Sequence, residues 1–159
     1  MQIAESVPCD VIAIKPTDFK ALVPKLLVKE GDAVEAGSPL FVDKMRPEVC
    51  FCSPASGVVE SVVRGDKRKL LAVTVKVDEK QQYRRFDAIQ PSRLDKGQMT
   101  AALLERGLWP LIKQRPYGII ANPQDTPKSI FISAMNTAQL APDVDFVLNG
   151  QNDYLQVAV

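Results

Sequence analysis

Along the first half of the chain, short apolar runs alternate with turns rich in glycine and proline, the pattern of an all-β unit. Val23 to Val28 is an apolar run interrupted by Pro24-Lys25, and Glu30-Gly31-Asp32 turns the chain. Val34 precedes a second turn at Gly37-Ser38-Pro39. Leu40-Phe41-Val42 begins another strand, Lys44 to Glu48 with Pro47 reads as a hairpin tip, and Val49 to Cys52 is the return strand. Ser53 to Gly57 turns the chain again, Val58 to Val63 follows, and Arg64 to Lys69 is a polar, basic tip. In the last strand Leu71, Val73, Val75 and Val77 alternate with Ala72, Thr74 and Lys76, so the period of two puts the larger side chains on one face. Many short strands with this punctuation predict a sandwich or barrel.

From Asp78 to Arg85 the composition turns polar, and a domain boundary is expected there, dividing the chain into residues 1–80 and 81–159. Beyond it the period changes. Met99, Ala102, Leu103 and Arg106 fall at helical spacing, with Gly107 just past the helix end. Pro110 fits the first turn of a second short helix through Leu111-Ile112-Lys113. Ile130-Phe131-Ile132 predicts a buried strand, and Asp145 to Leu148 and Tyr154 to Val159 are further apolar segments. Helices mixed with buried strands point to a partial α/β domain of Rossmann-like kind, so the fold class expected overall is mixed α+β. The abrupt first strand region and the apolar run at Gln156 to Val159 suggest a truncated piece.

Composition removes several chemistries. There is no histidine, which excludes a His-based general base, a Ser-His-Asp triad and most catalytic zinc sites within the chain. Lys+Arg 20 against Asp+Glu 19 supplies no electrostatic case for a nucleic-acid or anionic-membrane partner. No stretch approaches the ~20 apolar residues of a membrane span, and no signal peptide is evident, so a soluble, cytoplasmic piece is expected. Cys50 and Cys52 share a strand face but are poorly placed to bridge each other. With Cys9 they fall short of the four ligands of an iron–sulfur or structural zinc site, so a reduced pair is expected.

Val28-Lys29-Glu30-Gly31-Asp32-Ala33-Val34-Glu35-Ala36-Gly37-Ser38-Pro39-Leu40 resembles the strand–turn–strand of biotinyl and lipoyl domains, with Gly31 and Gly37 where positive φ is required. Ser53-Pro54-Ala55-Ser56-Gly57-Val58-Val59 resembles the second half of such a module. The resemblance implies a biotinyl/lipoyl-like β barrel-sandwich, but the lysine motif is missing. The tip reads Val42-Asp43-Lys44-Met45-Arg46-Pro47-Glu48, and Lys44 lies only four residues after Leu40, earlier than the family's acceptor. A solvated hairpin lysine is therefore expected, not a modified one.

Further segments in order, namely Arg64-Gly65-Asp66-Lys67-Arg68, Leu103 to Trp109, Arg115-Pro116-Tyr117 and Ser129 to Thr137, resemble the A subunit of bacterial sodium-translocating NADH:quinone reductases (the NqrA family) from roughly Val23 to Asp143. That resemblance implies a peripheral subunit on the cytoplasmic side of the inner membrane. Its complex uses NADH, flavins, iron centres and quinone to couple electron transfer to sodium export. It also implies partners among the other subunits, contact with the membrane only through the complex, and a quinone-related role that attaches to no named residue. No G-x-G-x-x-G or phosphate-cradling glycine loop is present. No covalent cofactor, catalytic residue or metal ligand is expected in this chain. The alternatives are a biotin or lipoyl carrier of a multienzyme complex, or the C subunit of the related electron-transport complex. Two contact regions are singled out. Asp43, Lys44, Met45 and Arg46 form a candidate docking hairpin. Ser133, Met135, Asn136 and Thr137 follow the expected α/β strand, where ligands or neighbouring subunits tend to sit. Trp109 is expected as a buried anchor between helices.

Overall fold

In the computed structural model, residues 8–133, 137–139, 141–151 and 156 are described. The longest strands are β6 (Gly57–Arg64) and β7 (Leu70–Val77), which pair antiparallel across the basic tip. β1 (Val11–Ile14) pairs with the other edge of β7, and β3 (Ala33–Val34) with β6, giving a four-stranded sheet in the order β1-β7-β6-β3. β2 (Pro24–Leu26), β4 (Pro39–Asp43) and β5 (Cys50–Cys52) form the second antiparallel sheet, ordered β2-β4-β5. This is a barrel-sandwich built from the strands the hydrophobic pattern marks, with β1 added. The run Val11-Ile12-Ala13-Ile14 carried that signal but is short and only partly buried.

The two sheets enclose Leu40, Phe41, Val49, Phe51, Val59, Val73 and Val75. Phe41 stacks on Phe51 at 4.7 Å between ring centroids, and Phe19 meets Phe51 edge-on at 4.7 Å, both favourable aromatic geometries. β4 is buried continuously from Leu40 to Asp43, as in a strand covered on both faces. Gly31 and Gly37 have φ of 90° and 96°, as their turns require.

Two sequence expectations shift. In β7 it is Leu70, not Leu71, that is buried with Val73 and Val75, because the β6–β7 register slips between Val63 and Arg64. A one-residue slip exchanges the two faces of a strand. Pro24 and Lys25 do not interrupt the first run but lie inside β2, at the sheet edge where a proline nitrogen needs no ladder partner. The polar segment after β7 is stitched to the barrel. Ser56, 1% exposed, is tied to it through every polar group: its backbone nitrogen donates to Gln81 Oε1 at 2.8 Å, its hydroxyl accepts from Gln82 N at 2.9 Å, and its carbonyl accepts from Asp78 N at 3.0 Å.

The second segment opens with α1 (Lys96–Glu105), whose first turn is closed by a capping box: Gln98 N donates to Asp95 Oδ1 at 2.8 Å and Asp95 N to Gln98 Oε1 at 3.1 Å. The helix ends in a Schellman motif, with Leu108 N bonded to Leu103 O at 2.9 Å and Gly107 at φ 67°. Asp95→Ala is expected to cost about 1 kcal/mol, read as faster amide exchange in the first turn of α1. Unchanged exchange there would show that packing alone holds the helix start.

The expected helix through Lys113 is instead a single 3-10 turn, Trp109–Leu111, with Pro110 in its first turn. The chain then enters a small hairpin, β8 (Lys113–Gln114) and β9 (Ile119–Ile120), because Ile112 is already extended and Gly118 at φ 66° supports the reversal. Ile130, Phe131 and Ile132 are 76%, 81% and 63% exposed and irregular, so the expected buried strand is not formed. A buried strand needs neighbours on both edges and cover on both faces, and among the described residues no strand pairs with it. Asp143 caps a single-turn helix, α2 (Val144–Val147), through bonds from Asp145 N and Phe146 N. The segment Tyr154 to Val159 lies outside the described residues, apart from Gln156.

Candidate functional site

The hairpin between β4 and β5 is held from within. Asp43 N donates to Val49 O at 3.0 Å, Arg46 N to Asp43 O at 3.1 Å and Val49 N to Arg46 O at 2.9 Å, closing a tight loop. The Asp43 side chain, its residue 1% exposed, accepts from Met45 N at 3.0 Å through Oδ1. Its Oδ2 accepts from Arg46 Nε at 3.0 Å and lies 2.9 Å from Arg46 Nη2. The paired guanidinium nitrogens on one carboxylate oxygen leave Nη1 free to reach further. It donates to the carbonyls of Ile120 at 3.1 Å and Ala121 at 3.4 Å, at the end of β9. The Ala121 carbonyl also accepts from Trp109 Nε1 at 2.8 Å. One arginine therefore joins the hairpin of the barrel to the hairpin of the following segment, and Trp109 and Ile120 complete the barrel's apolar cluster.

Burial of a carboxylate is tolerated only when it is paired and its lone pairs are used, and both conditions hold for Asp43. Among the described residues no buried side-chain nitrogen or oxygen lacks a partner. Lys44 is exposed and Met45 is 75% exposed, so the tip presents an ammonium and a thioether outward while Asp43 and Arg46 face inward. The loop is pinned on both sides of Lys44.

Of the other candidate residues, Ser133 and Thr137 are exposed on irregular backbone, and Met135 and Asn136 lie outside the described residues. Trp109 is buried, as expected of an anchor, but it bridges the barrel and the β8–β9 hairpin and not two helices. Its partner carbonyl could not be read from the sequence. The Asp-x-x-Arg spacing in a hairpin signals an ion pair, but the carbonyls Arg46 also meets are 74 and 75 residues away.

An open groove of about 560 Å³ lies beside the barrel, with Phe19, Leu22 and Leu26 on its wall and Lys20, Arg64 and Arg68 among its cations. At the start of α1 the Asp95 carboxylate takes the Gln98 amide. Among the described residues no group of three or more His, Cys, Asp or Glu is placed to hold a metal ion.

These features define a class: a barrel-sandwich hybrid protein whose β4–β5 hairpin is clamped to the segment that follows the barrel. Residues 1–78 match the NqrA N-terminal barrel-sandwich hybrid domain and residues 94–159 match the NqrA second alpha/beta domain. The chain belongs to the NqrA family. It is 34% identical to the A subunit of the Na(+)-translocating NADH-quinone reductase of Pseudomonas aeruginosa over 154 residues, covering 96% of this chain and 35% of that protein. The A subunit of the same reductase from Actinobacillus pleuropneumoniae is 39% identical over 139 residues, 86% of this chain and 31% of that protein. That of Photorhabdus laumondii is 35% identical over 139 residues, with the same coverage of 86% and 31%. The chain thus spans about a third of the length of these relatives.

Proposed function

We propose that this chain is part of the A subunit of a sodium-translocating NADH:quinone reductase, where it serves assembly and carries no covalent cofactor. The observation that carries this reading is the similarity along 96% of the chain to a protein of that name. The clamp supports it from the structure, since Asp43 and Arg46 hold the hairpin as a fixed surface and not as a swinging arm. In such a complex electrons pass from NADH to quinone with export of sodium, and this chain acts at the cytoplasmic side without crossing the membrane. No helix among the described residues is long and apolar enough to do so.

Within that role, Lys44 and Met45 are the proposed docking residues of the hairpin, braced from below by Asp43 and Arg46. Ser133, Met135, Asn136 and Thr137 are proposed as a contact for a ligand such as quinone or for a neighbouring subunit. Residues 1–80 and 81–159 are proposed as separate domains fastened by the clamp. The exposed strip Ile130-Phe131-Ile132 supports the view that the α/β segment is completed by further chain in a protein of the relatives' length.

The test is affinity purification of the full-length protein from its own membranes. Recovery of the other reductase subunits with sodium-stimulated NADH:quinone reductase activity is expected. Recovery with a biotin- or lipoyl-dependent multienzyme complex, or a cofactor mass on Lys44, would reject the reading. Full-length protein with Lys44→Glu and Met45→Ser is expected to retain its Tm and to lose at least tenfold in recovered partner subunits. Undiminished recovery removes the hairpin from the interface.

A further inference from the structure

Cys50 and Cys52 begin and end β5, so both side chains leave the same face of the strand. Their sulfurs lie 3.8 Å apart, and both residues are half-buried. That face meets the end of α1. Cys50 Sγ is 3.3 Å from the carbonyl oxygen of Leu104, and the Cys52 side chain lies against the backbone of Gly107. A Cβ at Gly107 would overlap the Cys52 sulfur and stand 3.2 Å from its Cβ. The pair therefore fills the seam where the barrel receives the second segment. Cys9, by contrast, is exposed.

We propose that Cys50 and Cys52 form a thiol-modification site at this seam, taking small disulfides of the oxidised-glutathione class. The geometry sets two thiols in contact at 3.8 Å, so that either can donate a hydrogen bond to the other and stabilise it as a thiolate. Hydrogen bonding from the Cys52 thiol brings the Cys50 thiol down to about 7, against an opposing effect of burial, with the Cys50 backbone amide and the Arg84 guanidinium acting in the same direction as Cys52. The same contact pushes Cys52 up, reinforced by burial and by the neighbouring charge and only partly offset by Arg84. From α1 the group facing the pair is the Leu104 carbonyl, whose negative end disfavours a thiolate. As the pH rises through about 7 the pair therefore passes from two protons to one shared between the two sulfurs.

In the reaction the Cys50 thiolate attacks one sulfur of the small disulfide. Its S–S bond breaks, a Cys50–glutathione S–S bond forms, and the departing thiolate takes a proton from water. The disulfide is the oxidant and no other is needed. The product remains a mixed disulfide. Residues two apart in an extended strand have Cα atoms about 6.6–6.8 Å apart, at the upper edge of what a disulfide spans. Closing a Cys50–Cys52 ring would require β5 to bend out of its pairing with β4. An adduct at Cys50 has no room beside Leu104 and Gly107, so it lifts the last turn of α1 and the Trp109 turn that follows.

The test treats the 159-residue chain with oxidised glutathione from pH 6 to 9, with intact mass, peptide mapping and the emission of its single tryptophan as readouts. One glutathionyl group on the peptide containing Cys50 is expected, with half-maximal rate near pH 7 when folded and near ~8.5 when unfolded in guanidinium. Trp109 emission should shift to the red and return on adding dithiothreitol. Cys52→Ala should move the folded profile toward the unfolded one, and Cys50→Ser should abolish the adduct. Modification confined to Cys9, a ring two hydrogens lighter with no adduct, or identical profiles in folded and unfolded chain would each overturn the site. An adduct that leaves Trp109 emission unchanged would overturn its coupling to α1.

Discussion

Gly57→Ala is expected to lower the stability of the chain by about 3 kcal/mol or more, the upper range for overpacking a well-packed position. A Cβ at residue 57 would overlap the carbonyl oxygen of Lys76 on β7, lie 2.9 Å from its carbon and crowd Val75 Cγ1 at 3.1 Å. The first two are backbone atoms in the neighbouring strand and cannot rotate away. Gly57 pairs with Val77 on one side and Val34 on the other, so the only relief is to part β6 from β7 where β3 also joins. The bond from Asp78 N to Ser56 O at 3.0 Å would be lost with it. For a chain of this size the cost corresponds to a fall in Tm of roughly 10 °C. Gly31→Ala isolates the other glycine effect, because nothing stands within 4 Å of its added Cβ although its φ is +90°. It should cost only about 1 kcal/mol. If urea melts place the two variants together, the close approach at Gly57 does not govern the fold.

Arg46→Ala is the second large expected effect. It removes both partners of the Asp43 carboxylate's inner oxygen and leaves that carboxylate buried at 1% exposure, while the Ile120 carbonyl loses its donor. Breaking a buried pair from one side costs about 3–5 kcal/mol. Arg46 keeps 26% of its side chain in solvent, and screening reduces the expected loss to roughly 2–3 kcal/mol. Arg46→Lys should recover less than half, since an ammonium gathers its donors on one atom and cannot span the carboxylate and the carbonyls as the separate guanidinium nitrogens do. The double variant Asp43→Ala, Arg46→Ala should be more stable than Arg46→Ala alone, because the orphaned charge is gone. A double variant less stable than the single one would show that Asp43 stabilises the loop mainly through Met45 N. Because Arg46 and Trp109 share the Ala121 carbonyl, Trp109 emission reports whether the second segment loosens from the barrel.

The barrel was legible because its information is local. Val73, Val75 and Val77 declare a strand face by their period of two, and Gly31 and Gly37 declare turns by the backbone they permit. The same locality produced the errors. Leu71 has the right spacing, but a register slip between Val63 and Arg64 hands its place to Leu70. Ile130-Phe131-Ile132 has strand composition, yet a strand exists only where another strand meets it. The candidate hairpin was found by resemblance and by its turn residues, but the opposite orientations of Asp43 and Lys44 depend on Arg46 finding its carbonyls.

By itself the sequence determined the β-rich first half, its turns, the capped helix with Gly107 behind it, and the missing lysine motif. Each rests on intrinsic backbone preference or on side-chain period within a few residues. Tertiary structure alone decided that the hairpin is a clamp and that Gly57 admits no side chain. It also set Cys50 and Cys52 against the end of α1 and left Ile130 to Ile132 uncovered. Those outcomes turn on which groups meet across the fold, such as Cys50 with Leu104 and Arg46 with Ile120, 54 and 74 residues apart. Pairings at that separation are chosen by the free energy of closing the whole barrel and burying its charges together, and no local pattern of residues encodes them.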